Sequence, residues 1–458
     1  MDNSSKANKI DMTEGPILKS LLLFALPLFI GNVFQLFYNI VDSIIIGRFG
    51  STEELAAVAS SGSLINFLVS LLVGIAAGAG IVIAQHFGAR DKKRMEKCIH
   101  TLVTFGLISG IIMSIIGFFV SPILLKMMGT PESVLPHSTR YFQIYFLGVI
   151  FTLMYNVGSA IFRAVGDSRH PLYYLIIASL TNVVLDLIFV VWFDLGVTGV
   201  AIATIMAQAL SATLTFCHLT HVKDDYKVSF KRLLIDKEEL KKILSIGLPN
   251  GLQNSIISLA NVVVQSNINS FGELAQAGCA SYSKIEGFAT MPSGSFSIAL
   301  SNYVGQNIGA DKPDRVKKGV KVGLLTSMLT TEALALLLFI FCPYLLRMFS
   351  DDPTVLNYGI GMTRHIVLGY FMLAFAHGIS GVLRGAGISV VPMISMIVCW
   401  CVVRIVGIPI VVSNWNDIRG IWIFYPGTWF LSLLVLGFYY LKVDWINKGR
   451  EKRRRENK

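Results

Sequence analysis

Apolar residues in this chain come in blocks about as long as a bilayer is thick. The runs LVTFGLISGIIMSIIGFFV (102–120) and EALALLLFIFCPYLL (332–346) approach the roughly twenty residues a helix needs to cross a hydrocarbon core. Similar blocks recur from end to end. In lipid a backbone amide finds no water, so a crossing segment must satisfy its own polar groups as a helix. With 53% hydrophobic and only 15% charged residues, against about a quarter charged in an average soluble domain, a water-soluble globule is excluded. The pattern predicts an all-α integral membrane protein.

The formal net charge of +11 would suit a nucleic-acid partner if it gathered on one surface, but it follows loop order instead. Lys and Arg crowd alternate connections: Lys6, Lys9 and Lys19, then Arg90 to Lys97, Lys223 to Lys242, Lys312 to Lys321 and Lys448 to Lys458. The loops between these hold few, among them Lys126 and Arg140, then Arg347, then Arg419. By the positive-inside rule the chain is multi-pass in the cell membrane, with both termini cytoplasmic, lipid as its surroundings and no nucleic acid as partner. Residues 1–16 are polar and show no cleavage site, so the first helix is expected to stay as an anchor. Six cysteines are scattered, and Cys399 and Cys401 lack CxxC spacing. All six are expected to be core thiols.

The blocks also repeat. LPLFIGNVFQLFYNIVDSIIIGRFG (26–50) aligns without a gap on LPNGLQNSIISLANVVVQSNINSFG (248–272), and Gln85-His-Phe-Gly-Ala89 on Gln306-Asn-Ile-Gly-Ala310. The same order continues with SPILLKMMGTPESVL (121–135) on CPYLLRMFSDDPTVL (342–356) and FRAVGDSRHP (162–171) on LRGAGISVVP (383–392). Each half offers six spans: 17–45, 55–85, 99–124, 140–163, 170–193 and 197–220, then 243–269, 275–305, 318–345, 361–384, 390–412 and 421–442. An even number of crossings gives both halves one orientation, as in transporters built from parallel repeats. The expected organisation is two pseudo-symmetric six-helix bundles. They comprise an N-terminal lobe over 1–220, an interlobe linker over 221–242, a C-terminal lobe over 243–445 and a solvated basic tail over 446–458. Pro27, with its repeat mate Pro249, removes a helix hydrogen bond within a span and is the expected hinge.

An ionisable side chain at mid-span costs about 2.5–3.5 kcal/mol on the insertion scale, so such residues mark function or a buried partner. Asp42 lies in QLFYNIVDSIIIG and Asp186 in ASLTNVVLDLIFVVWF. Tyr38 is four residues before Asp42, and Asn182 four before Asp186, each pair on one helix face. The repeat mates of the two aspartates are Val264 and Gly407, which makes the N-terminal half the expected cation-handling half. The plainer alternative is that each Asp only hydrogen-bonds a neighbouring helix. In the C-terminal half Glu286 is the candidate for a substrate or second proton site. Lys284, two residues away, points to another face. Glu332 suits an interface or interhelix role, and His365 and His377 read as packed residues. No phosphate loop, nucleophile elbow or HExxH is present, so the chain reads as a non-enzyme driven by an ion gradient.

The two six-span halves, Pro27 with Tyr38 and Asp42, Asn182-Val-Val-Leu-Asp186 and the paired Gln-x-x-Gly-Ala closures together resemble the multidrug and toxic compound extrusion (MATE) family. The resemblance runs from about residue 15 to 445 and is nearest to the DinF-like bacterial and archaeal branch. It implies a V-shaped antiporter that exports amphipathic, often cationic, organic compounds in exchange for H⁺ or Na⁺, with no cofactor beyond that ion and with a monomer as the working unit. It also implies that Asp42, Asn182, Asp186 and Thr204 hold the proton or sodium ion, with Tyr38, Tyr141 and Asn156 in the surrounding network. The family's other branch carries acidic residues in spans seven and ten, where this chain has neither Asp nor Glu. The alternative, a flippase for a lipid-linked saccharide, would want several basic groups in the cavity, and only Lys284 and Arg404 are available.

The loop charges generate a direct test on a cysteine-free background. K92C should resist a membrane-impermeant maleimide applied to intact cells while T130C reacts, and the reverse labelling would overturn the topology.

Overall fold

The structure, a computed structural model, describes residues 10–415 and 417–456. Among them there is no strand, and the helices follow the two repeats. The first half contains α1 (Ile17–Phe49), α2 (Thr52–Gly88), α3 (Lys92–Met127), α4 (Leu135–Ala164), α5 (Arg169–Trp192) and α6 (Gly196–His221). The second contains α7 (Lys237–Asn269), α8 (Glu273–Gly309), α9 (Pro313–Leu346), α10 (Pro353–Gly385), α11 (Val390–Trp415) and α12 (Arg419–Lys442). A short helix, α13 (Trp445–Glu456), follows. These are the twelve membrane helices that the apolar blocks predict.

Ten of the twelve are apolar enough to qualify as spans by composition. The other two, α7 and α8, are 33 and 37 residues long, ample at 1.5 Å per residue, but they are rich in polar side chains. Gln253, Ser293, Ser297, Ser301 and Asn302 are all buried, so this polarity is turned inward. The outward faces are apolar: on α3, Ile111, Ile115, Ile116 and Phe119 are half to two-thirds exposed, as lipid-facing residues should be.

The compact units differ from the expected lobes. One contains Ile30–Gly251 with the segment before Met12, and the other contains Met12–Phe29 with Leu252 onward. The first part of α1 therefore packs with the second unit and the first part of α7 with the first. Both helices change allegiance within two residues of their prolines, Pro27 and Pro249. The expected linker is not a free connection either. Tyr226 and Val228 are buried in the first unit's core. Ser229 N donates to His100 Nε2 at 3.1 Å, and Asp236 N to Thr101 Oγ1 at 3.0 Å. Lys97 and Asp236 pair at 2.9 Å, and that hydrogen bond holds the Asp236 carboxyl below the usual range. The segment is a strap across the start of α3.

The basic tail is likewise docked, not solvated. Trp445 and Ile446 are buried, and Arg453 Nη1 donates to the last carbonyls of α8, Ile308 O at 3.0 Å and Gly309 O at 2.6 Å. Lys452 Nζ reaches Gly387 O at 2.8 Å, and Arg450 pairs with Asp311 at 2.5 Å. Unsatisfied carbonyls at a helix C-terminus attract cations, which the alternation of charges along the chain could not reveal. In the same unit Arg315 clamps the carbonyls of Met12, Glu14 and Gly15. Asn307 Nδ2 donates to Met12 O at 3.0 Å.

In the first unit the corresponding attachment is a seam between α2 and α7. A Cβ added at Gly78 would overlap Gly247, and one at Gly74 would overlap Gly251. Glycine alone therefore permits this backbone approach. The register is antiparallel and constant, each step of four along α2 matching a step of four back along α7. It continues through buried Val82 and Ile243 to His86 and Glu239. There His86 Nε2 lies 2.9 Å from Glu239 Oε2, and Lys242 Nζ donates to Glu239 Oε1 at 2.8 Å. Burial alone would raise the Glu239 carboxyl, but the hydrogen bonds from His86 and Lys242 outweigh it and hold the group below the usual glutamate range.

The seam makes a packing prediction. Gly78→Val should destabilise the detergent-solubilised protein by about 1–3 kcal/mol, the usual penalty of overpacking, read as a lower melting temperature. Gly294→Ala, where an added Cβ meets nothing within 4 Å, should leave it unchanged or higher. Equal melting temperatures for wild type and Gly78→Val would remove the seam from any account of stability.

Candidate functional site

The first unit holds its ionisable groups where α1 and α5 bring them face to face. On α5 the regular helix runs only to Asp186, after which Leu187–Trp192 forms a π-helical turn. Such turns disturb side-chain register and recur at functional sites. Asp186 is 0% exposed, Asn182 1% and Asp42, on α1, 9%. The carboxyls of Asp42 and Asp186 lie within hydrogen-bonding reach of each other. Neither Asp186 oxygen nor Asp42 Oδ1 finds a protein donor, and no Lys, Arg or His pairs with them among the described residues. Two carboxylates cannot donate to each other. The pair is satisfied only when one carboxyl carries a proton or a cation sits between them.

Three phenols surround the pair. Tyr38 lies within electrostatic reach of Asp42, Tyr145, Tyr141 and Asp186, and the Tyr141 and Tyr145 rings stack at 6.4 Å. Tyr145 was not singled out from the sequence. Its signal was there to use: it stands four residues after Tyr141 and so shares its helix face. Asn182 is one turn from Asp186, and both its amide atoms are buried without a partner, leaving its oxygen free for a ligand.

Two expected members take no part in this contact. Thr204, 6% exposed, donates Oγ1 to Val200 O at 2.9 Å, and Asn156 Nδ2 donates to Thr152 O at 2.8 Å. Each bond lies within its own helix. The Thr204 oxygen keeps lone pairs that a cation could use, whereas half-buried Asn156 shows no link to the aspartates.

The second unit has different chemistry. Tyr370 Oη donates to Glu286 Oε1 at 3.0 Å, and Tyr282 and Tyr370 share a hydroxyl contact of 2.5 Å. These three residues line a small cavity with Ala289, Cys342 and Thr363. Lys284 is exposed and sits over the Phe349 ring at 5.4 Å, away from Glu286 as its position in the helix implied. Glu332 Oε2 accepts from Phe371 N at 2.8 Å, capping the segment that follows the 3₁₀ turn Val367–Gly369. That is an interhelix role. His365 stacks near Trp422 and His377 near Trp400, both at 5.4 Å. Five cysteines are buried, but Cys217 is exposed on α6, a correction to the expected six core thiols.

The MatE family model matches this chain twice, over residues 27–188 and 249–410. The chain belongs to the MATE family. Both MATE matches open at the helix prolines, and the first spans Asp42, Asn182 and Asp186. Among curated relatives, "Probable multidrug resistance protein YoeA" of Bacillus subtilis is 29% identical over 93% of each chain. The "FAD transporter" of Shewanella oneidensis is 26% identical over 76% of this chain and 77% of its own. Among solved structures, a MOP superfamily transporter from Pyrococcus furiosus superposes with a TM-score of 0.89, at 22% identity, over 96% of this chain and 98% of that one. At that identity the superposition speaks for the MATE fold alone.

Proposed function

We propose that this MATE chain is a secondary antiporter of the cell membrane, with both termini cytoplasmic, of the DinF-like branch. It exports amphipathic, cationic organic compounds in exchange for H⁺ or Na⁺, and works as a monomer with no cofactor beyond the coupling ion. The observation that carries this reading is the facing Asp42 and Asp186 carboxyls, sealed in the first unit without a basic partner. Relatives named for multidrug resistance support the direction of transport.

The chemistry follows from the pair's need for a third party. A proton bound between the carboxyls, or a sodium ion held by both with Asn182 Oδ1 and Thr204 Oγ1, lowers the charge of the site from two negatives to one. When that ion leaves, the bared negative charge is unfavourable unless a cationic group approaches or the helices rearrange. Binding the ion thus weakens the pull of the site on a cationic cargo and losing it strengthens that pull, the competition that antiport requires. Tyr38, Tyr141 and Tyr145 supply hydroxyls that can rearrange between the two states. Pro27, buried in α1 where the helix passes from one unit to the other, is the proposed bending point.

Asp42→Asn and Asp186→Asn keep size and polarity but cannot change charge. In proteoliposomes under separately imposed proton and sodium gradients, each should reduce efflux of a cationic dye to background. Glu332→Gln, which keeps an acceptor for Phe371 N, should stay within about twofold of wild type, since a neutral hydrogen bond differs from a charged one by only about 1 kcal/mol. Wild-type efflux from both aspartate variants at matched reconstitution would end the proposal and make Glu286 the next candidate.

A further inference from the structure

The fifth helix of each half carries one ionisable residue beside a π-helical turn. In α5 it is Asp186, immediately before Leu187–Trp192. In α11 it is Arg404, two residues after the turn Ile397–Val402. The repeat alignment sets Val183 against Arg404 and Gly407 against Asp186. The two sites are therefore not copies. One helix of a duplicated pair gained an acid and the other a base, each next to a local break in regular hydrogen bonding.

Arg404 is 4% exposed within a membrane helix, yet among the described residues no carboxylate lies within ion-pair distance of it. Nε and Nη2 both donate to one atom, Thr428 Oγ1, at 3.0 and 2.9 Å. Thr428 in turn donates to Tyr425 O at 3.0 Å, so its remaining capacity is fixed towards the guanidinium. Among the described residues Nη1 has no protein acceptor. The guanidinium lies 4.5 Å from the centre of the Tyr425 ring and 5.7 Å from that of Trp400, contacts that offset part of its desolvation without neutralising it. A row of rings leads away from it. Tyr425 and Trp429 are 6.2 Å apart, Trp429 and Tyr370 5.3 Å, and Tyr370 holds Glu286. Among the described residues the second Glu286 oxygen has no protein partner. The unit thus presents a base and an acid within electrostatic reach of each other and of Tyr425, yet not bonded to each other.

We infer that Arg404 is an anion-recognition site that takes the carboxylate of an aromatic cargo molecule. The planar fork of a guanidinium matches a carboxylate, Thr428 fixes the fork's orientation, and the Tyr425 and Trp400 rings provide a surface for the cargo's aromatic body. Glu286, within electrostatic reach of the guanidinium, faces a positive group on the same molecule. The favoured ligand is a zwitterionic aromatic amphiphile. The assignment rests on the export reading for the origin of its cargo, but binding is measured without any gradient, so the two can fail separately.

The test uses the full chain purified in detergent and the fluorescence anisotropy of two dyes, a rhodamine with a free carboxylate and its methyl ester. Wild type should bind the acid at least about tenfold more tightly, the ratio expected from one charge-assisted hydrogen bond. Arg404→Gln should abolish the preference while leaving the ester's Kd unchanged. Arg404→Lys and Thr428→Val, which keep the charge but lose the fork or its anchor, should each reduce the preference. Equal wild-type affinities would overturn the assignment, and so would a preference that survives Arg404→Gln. A parallel loss of both dyes in that variant would also overturn it and make Arg404 a structural counter-charge to Glu286. Should Arg404→Gln not fold, an unaltered preference in both Arg404→Lys and Thr428→Val is the overturning result.

Discussion

Two acids that face each other away from water impose a condition on everything around them. Unit charges about 4 Å apart repel by about 4 kcal/mol at an effective dielectric near 20, and a membrane bundle offers little to relieve that. Among the described residues Asp42 and Asp186 have no cationic side chain beside them, and their burial denies them bulk water. Any settled state must include a proton, a cation or a moved helix. The unpartnered Asn182 amide and the ring of phenols fit this condition, because a site that must accept more than one occupant cannot have all its hydrogen bonds committed in advance.

Such a site needs a scaffold that yields in one place and holds elsewhere. The seam of Gly74, Gly78, Gly247 and Gly251 brings two backbones closer than any side chain would allow, and the His86–Glu239–Lys242 cluster closes its end. Close-packed contacts of this kind are bistable at best and do not deform smoothly. Motion is therefore displaced to positions where the helix lacks a hydrogen bond of its own. In α7 the nearest such position is Pro249, which lies inside the seam between Gly247 and Gly251, so its kink is held there. In α1 it is Pro27, beyond the carbonyl clamp that Arg315 and Asn307 place on Met12–Gly15. The clamp thus fixes the start of α1 and leaves its bend to Pro27.

Most of the fold was legible because lipid permits so few solutions. Blocks of about twenty apolar residues can only be helices, and the repeat then fixed their number even for α7 and α8, whose composition is too polar to qualify alone. Asp42, Asp186 and Tyr38 were legible for a related reason: in an apolar span a polar residue stands out. Tyr145 did not, since a tyrosine in a helix that carries several aromatic residues is unremarkable without the contact it makes. The exchange of the first parts of α1 and α7 between units was not legible, because it depends on glycine-to-glycine packing across about 170 residues of sequence. The strap and the tail helix were misread for a different reason. Lys and Arg in those segments answer two demands at once, topology and the capping of carbonyls, and only the first leaves a pattern in the sequence.

The duplicated scaffold sharpens the meaning of what differs between its halves. A duplication starts with equal chemistry in both copies, so positions that now oppose Asp42 and Asp186 with Val264 and Gly407, and Arg404 with Val183, record separate commitments. Buried charges are expensive and persist where something compensates them. For Asp42 and Asp186 that compensation is an exchangeable ion, since neither has a fixed partner. Arg404 and Glu286 are arranged differently, each held by a neutral hydroxyl and within electrostatic reach of the other, but not joined in an ion pair. A scaffold that needed only neutrality would have joined them in one ion pair, the arrangement it uses at Lys97–Asp236 and Arg450–Asp311. Keeping the two charges apart leaves both available to a molecule that bears the complementary pair, and gives the half without the carboxyl pair a reading task of its own.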